Sequence, residues 1–142
     1  MRAPVTVLDA CVLYPAAFRD LMMRMTVAGL IDARWTSTIL PDPDDRHVVA
    51  AAIEAEADWI VTWNLRDFPQ STLRTYGLSA ITPDLLLLQL LEKRESETRC
   101  VLKETRLSLK NPEKSAAEYL VTLPNQGLVG FCDAVGAWAE EL

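Results

Sequence analysis

Cysteine and histidine are scarce in these 142 residues, with three of one and a single copy of the other. Cys11, Cys100 and Cys132 are odd in number, widely spaced and form no CxxC pair, and only His47 is there to join them. That excludes a zinc centre or a disulfide framework as the organising principle, and the three thiols are expected to pack as small buried hydrophobes. Basic residues are in the minority. The 14 Lys and Arg against 20 Asp and Glu leave a net charge of −6, which excludes a polyanion binder working through a broad basic surface. Long apolar runs are missing too. The longest, Leu85 to Leu88 followed by Leu90 and Leu91, falls far short of the roughly 20 residues that span a bilayer. No apolar signal segment follows Met1-Arg2-Ala3-Pro4, so a cytoplasmic location away from membranes is expected.

Half of the residues are hydrophobic, enough to build a real core, and the length suits one domain over 1–142. Val5-Thr6-Val7-Leu8 reads as a buried strand that ends at Asp9. Phe18, Leu21, Met22, Met25 and Leu30 recur at helical spacing over Ala16 to Ala28, with Pro15 near the start and Gly29 near the end. A second strand is expected over Ala33-Arg34-Trp35-Thr36. A helix is expected from Asp45 to Ala57, with Val48, Val49, Ala52 and Ile53 as its apolar stripe. Asp58 to Trp63 reads as a third strand, Asn64 to Pro69 as a loop, and Leu78 to Thr82 as a further short strand. From about residue 83 the chain reads as helical. Thr82 and Pro83 signal one start; a second helix is expected over Glu95 to Leu109, and a third from Asn111-Pro112-Glu113. Pro124 to Gly127 breaks the chain before a last helix carrying Leu128, Phe131, Val135 and Trp138. Glu92-Lys93-Arg94-Glu95 reads as a solvated helix face. Strand and helix alternating in this order predict a parallel sheet covered on both faces.

In such sheets, sites form at the carboxyl ends of the strands. Asp9 directly follows the first strand, Asn64 the third, and Asp67 comes three residues later. Asp45 opens the helix leading into that third strand, after the stiff acidic turn Pro41-Asp42-Pro43-Asp44-Asp45. Carboxylates brought together from these positions would repel one another and call for a cation. Magnesium, which keeps several of its waters, suits an open acidic pocket. Each residue also has a purely structural reading. Asp9, Asn64 and Asp67 suit turns, while Asp42, Asp44 and Asp45 suit the capping of a helix start. Spacing by itself leaves the two readings balanced.

Three segments carry a resemblance. Val5 to Pro15 resembles the opening motif of PIN domains. Pro41 to Ala52 resembles their third motif, and Val61 to Pro69 their fourth. In this order, and with a similar helical tail that includes Pro112 to Glu118, they resemble the VapC-like branch, the toxin components of bacterial toxin–antitoxin systems. The resemblance implies a PIN-like three-layer α/β/α fold with a central parallel sheet and a helical C-terminal part. It implies a Mg²⁺- or Mn²⁺-dependent ribonuclease that hydrolyses RNA with an activated water and leaves a 5′-phosphate and a 3′-hydroxyl. Asp9, Asp45 and Asp67 match the acidic, metal-holding positions, and Asn64 matches the polar position beside the last. Asp42 and Arg46 are the neighbours expected beside the metal or the substrate, with Arg66 flanking the same site. A homodimer and an inhibitory antitoxin protein are the implied partners.

One departure stands out. Members of the family carry several tens of helical residues before the third motif, opening with a Glu that completes the acidic site. Here Trp35 to Leu40 runs directly into Pro41, and no Glu lies between Asp32 and Asp42. This internal deletion after Leu40 predicts uncovered apolar side chains, and hence a dimer or a domain swap hinged on the short connection. It also sets up a rival to the enzyme: a catalytically impaired PIN-like protein that binds protein or RNA without cutting. A receiver-like phosphoacceptor domain using Asp9 accounts for neither the fourth motif nor the helical tail.

Overall fold

A computed structural model describes residues 2–13, 16–35, 46–110 and 113–137. The acidic turn with Asp42, Asp44 and Asp45, the connection after Leu40, and Pro15, Asn111, Pro112 and Trp138 lie outside the described residues. Four strands, β1 (Val5–Leu8), β2 (Asp32–Arg34), β3 (Trp59–Val61) and β4 (Ala80–Ile81), form one sheet in the order β2-β1-β3-β4. All three pairings are parallel, with Val5 opposite Asp32, Leu8 opposite Val61, and Val61 opposite Ile81. β1 and β3 are therefore central neighbours whose carboxyl ends emerge side by side.

Alternation along these strands sorts the core into two layers. Val7 and Ile60 pack with Val48, Ala52, Phe68, Leu73 and Leu78 on one face. Leu8 and Val61 join the larger cluster on the other, with Phe18, Met22, Leu86, Leu102, Leu123 and Phe131 among its members. Helices α1 (Ala10–Leu13), α2 (Ala16–Val27) and α3 (Arg46–Glu54), then the short α4 (Gln70–Leu73), surround the strands. After them come α5 (Pro83–Lys93), α6 (Glu95–Ser108), α7 (Ala116–Asn125) and α8 (Val129–Val135). The result is the expected α/β/α arrangement, with a sheet buried on both sides. Among the described residues, no helix is long and apolar enough to cross a membrane.

The helix ends follow local chemistry. α2 buries Phe18, Leu21, Met22 and Met25. It stops in a Schellman turn, where Gly29 (φ 76°) lets its N–H reach Thr26 O and the Leu30 N–H reach Met25 O, both at 3.0 Å. Thr82 caps α5 by accepting the Leu85 N–H, with Pro83 in the first turn. The carboxylate of Asp84 reaches across to α8, accepting the N–H groups of Gly130 (3.1 Å) and Phe131 (2.8 Å). Two donors that α8 cannot satisfy internally are thus held by a side chain of α5.

Several expectations shift. α7 starts at Ala116 rather than near Asn111, because Ser115 and Glu118 make a reciprocal capping box while Lys110 and Glu113 form a β-bridge. Pro124 sits in the last turn of α7 rather than after it. α3 ends at Glu54, short of Ala57, and Ile53 from its expected stripe is 44% exposed. Arg94 is no solvated helix-face residue. Its backbone (φ −140°, ψ 60°) breaks α5 from α6, and its guanidinium donates to Gly29 O at 2.8 Å and pairs with Glu97. Cys100 is exposed, and Cys11 and Cys132 are only half-buried.

Candidate active site

Asp9 continues the parallel pairing one step past β1, its N–H reaching Val61 O at 3.0 Å. The residue is 8% exposed, so its carboxylate needs partners. The fully buried Thr62 donates its hydroxyl to Asp9 Oδ2 at 2.9 Å, and the Cys11 thiol approaches the same oxygen at 3.3 Å. Burial above all pushes the Cys11 thiol up from its ordinary value, against an opposing hydrogen bond from the Trp63 backbone. The sulfur therefore keeps its proton and acts as a donor. Both of these bonds end on Oδ2; among the described residues, Oδ1 receives none.

Thr62 does a second job. Its Oγ1 accepts the Asn64 N–H at 3.0 Å, so one hydroxyl ties the carboxylate at the end of β1 to the backbone leaving β3. Beyond it a 3-10 turn, Leu65–Asp67, closes with the Asp67 N–H on Asn64 O at 3.0 Å. Asn64, Arg66 and Asp67 are exposed. Together with Trp63 and Leu65 they line a shallow pocket of about 420 Å³. Trp63 is half-buried, its ring tilted against Phe18 with centroids 6.2 Å apart.

Asp9, Asn64 and Asp67 thus stand at the carboxyl ends of the two central strands. Asp42 and Asp45 lie outside the described residues, and Arg46 opens α3 with its side chain undescribed. Among the described residues, no three His, Cys, Asp or Glu side chains come together as a metal-holding group. The chemistry of the donors that are present nonetheless fits a hard divalent cation. One buried carboxylate keeps an oxygen without a donor, with an exposed carboxylate and an amide oxygen on the adjoining strand's turn. Magnesium asks for no more than one or two carboxylates and fills its remaining positions with water.

The sequence reading missed Thr62 and Cys11. Thr62 was detectable in principle, as a hydroxyl closing the apolar run Trp59-Ile60-Val61 directly before a polar turn. Thr62→Val keeps the shape but removes both hydrogen bonds. If Asp9 holds a metal, this substitution is expected to weaken Mn²⁺ binding about 10–100-fold, as loss of a group orienting a ligand does, while Thr62→Ser retains affinity. Wild-type affinity in Thr62→Val, measured by calorimetry, would show that the hydroxyl does not orient the site.

A PIN domain model matches residues 11–66, and a model described as the VapC50 C-terminal domain matches residues 83–137. Over these two stretches the chain is similar to PIN domains and to the helical C-terminal part of VapC50. VapC50 of Mycobacterium tuberculosis, a protein whose name assigns it provisionally as a ribonuclease, is 45% identical over 58 residues. That match takes in 41% of this chain and 34% of the relative, so the chain is aligned with only about a third of that protein. No solved structure shows significant similarity. The PIN match begins two residues after Asp9 and ends one before Asp67, so the case for those two positions rests on the geometry above.

Proposed function

We propose that this chain is a divalent-metal-dependent endoribonuclease of PIN toxin type. The observation that carries the reading is Asp9, a buried carboxylate oriented through one oxygen by Thr62 and Cys11, with its other oxygen given no donor among the described residues. Asp9 and Asp67 would hold Mg²⁺ or Mn²⁺ with the Asn64 amide beside them, and Asp45 would serve as a further carboxylate. Asp42 and Arg46 would stand next to that set. A bound metal would supply polarisation of the phosphate and a lowered pKa for the attacking water, which makes it a better nucleophile once deprotonated. The chain's own part is positioning. Thr62 fixes the Asp9 carboxylate, the 3-10 turn presents Asn64 and Asp67, and the exposed Arg66 guanidinium offers paired donors to a phosphate. Hydrolysis of this kind leaves a 5′-phosphate and a 3′-hydroxyl on the RNA.

The surrounding biology belongs to the same proposal. The chain would act in the cytoplasm as one unit over 1–142, its helical part from about residue 83 included, held in check by an antitoxin protein. The short connection after Leu40 would leave apolar surface for a second copy, giving a homodimer or a domain swap across that connection. Light scattering at micromolar concentration is expected to return twice the chain mass; a clean monomer would remove the dimer from the account.

A second reading is a PIN-like protein that binds RNA or protein without cutting. It is favoured by the lack of a three-member acidic group among the described residues and by the absence of any Glu between Asp32 and Asp42. Incubating a mixed RNA pool with the protein and Mg²⁺ or Mn²⁺, with an EDTA control, separates the two. Metal-dependent fragments bearing 5′-phosphates are expected. Intact RNA in the presence of folded protein and either metal would favour the binding reading.

A further inference from the structure

Helices α2 and α7 end in the same way. In α7, Gly127 (φ 85°) donates to Pro124 O at 2.9 Å and Leu128 donates to Leu123 O at 3.0 Å, the counterpart of the turn at Gly29 and Leu30. The two glycines differ in what stands beside them. A Cβ on Gly29 would meet nothing within 4 Å, whereas one on Gly127 would lie 2.8 Å from Trp63 Cη2 and 3.0 Å from Cζ3. The Trp63 indole also meets the buried Phe18 of α2, the rings tilted with centroids 6.2 Å apart. Trp63 is also the residue between Thr62, which holds Asp9, and Asn64, which opens the site turn.

We propose that Trp63 is a positioning residue. In contact with both Phe18 and Gly127, it makes the seating of the α7–α8 turn set the conformation of Asn64 to Asp67. The helical C-terminal part thereby reaches the site without contributing a ligand to it. The Asp84 carboxylate strengthens the link by fixing the start of α8 to α5 three residues after Gly127. This inference rests on the metal-site reading above for its functional consequence, but not for the coupling itself.

The paired glycines supply the test. Gly127→Ala and Gly29→Ala impose the same left-handed strain on the same kind of turn, and only the first pushes on Trp63. In the intact chain, Gly127→Ala is expected to speed amide hydrogen exchange at Asn64 and Asp67 by about tenfold or more, as local opening becomes easier. It is also expected to weaken Mn²⁺ binding about tenfold. Gly29→Ala should do neither, although the left-handed strain lowers its melting temperature too. Adding Trp63→Phe to Gly127→Ala withdraws the far edge of the ring and should bring exchange down to the level of Trp63→Phe alone. Should Gly127→Ala fail to fold, Trp63→Phe alone, which leaves the glycine in place and removes the contact with it, is expected to raise exchange at the same two amides. Wild-type exchange at Asn64 and Asp67 in a folded Gly127→Ala or in Trp63→Phe, or equal acceleration in Gly29→Ala, overturns the coupling and leaves the nuclease reading standing. Exchange that responds as expected in a protein that binds no Mn²⁺ overturns Trp63 as a positioning residue of a metal site, and takes the nuclease reading with it.

Discussion

Asp9→Asn is expected to reduce RNA cleavage by more than about a hundredfold while moving the melting temperature by only about 3 °C or less. The two halves of this expectation have separate origins. Asparagine has the shape of aspartate and can still accept the Thr62 hydroxyl, so the tie between the ends of β1 and β3 survives. What is lost is the negative charge and one of two hard oxygens at a buried position. Disturbing a group one shell further out already costs about 10–100-fold at metal sites, and a ligand itself exceeds that. Initial rates on an RNA pool with saturating Mn²⁺, beside thermal unfolding of both proteins, check it. Undiminished cleavage would mean that Asp9 is only the acceptor that satisfies Thr62 in the fold.

Phe131→Ala is expected to destabilise the whole chain by about 3–5 kcal/mol, the range for deleting a fully buried aromatic ring. Phe131 of α8 has no exposed surface and belongs to the cluster that includes Leu8 and Val61 of the sheet and Phe18 of α2. The part of the chain matched by the VapC50 C-terminal model therefore shares a core with the part matched as a PIN domain. Urea unfolding followed by tryptophan fluorescence and by far-ultraviolet circular dichroism should give one coincident transition, displaced as a unit in the variant. Loss of a helical fraction alone, with the remainder unfolding at the wild-type midpoint, would mean that the tail folds separately.

Much of this architecture was legible because a few strong local signals agreed. The β-branched run Val5 to Leu8, the helical spacing of Phe18, Leu21, Met22 and Met25, and the Thr82-Pro83 start all appear where periodicity and capping put them. α1 and α4, four residues each, were not legible, since one turn carries too little periodicity to register. The start of α7 was misplaced because Pro112 is a louder signal than Ser115, while the capping box at Ser115 is what satisfies the orphan N–H groups. The Arg94 run reads as solvated for a related reason: local sequence does not show its guanidinium reaching a carbonyl in the turn after α2.

The site divides along the same line. Asp9, Asn64 and Asp67 are proposed because strand-end position and the resemblance to PIN motifs coincide at them, spacing alone leaving the readings balanced. Thr62 could not be picked out, because its importance lies in a hydrogen bond between residues 53 apart in the chain. Trp63 read only as the end of the third strand. Its contact with Gly127 joins segments 64 positions apart, and no local pattern encodes that.

Calorimetric titration of Mn²⁺ into the wild type, Asp9→Asn and Asp67→Asn tests the central claim most directly, because it asks about the metal without requiring the right RNA. The account predicts a saturable site in the wild type, no measurable binding in Asp9→Asn, and clearly weakened binding in Asp67→Asn. A folded wild-type protein that takes up no Mn²⁺ at millimolar concentration, or one whose affinity survives both substitutions, would contradict it.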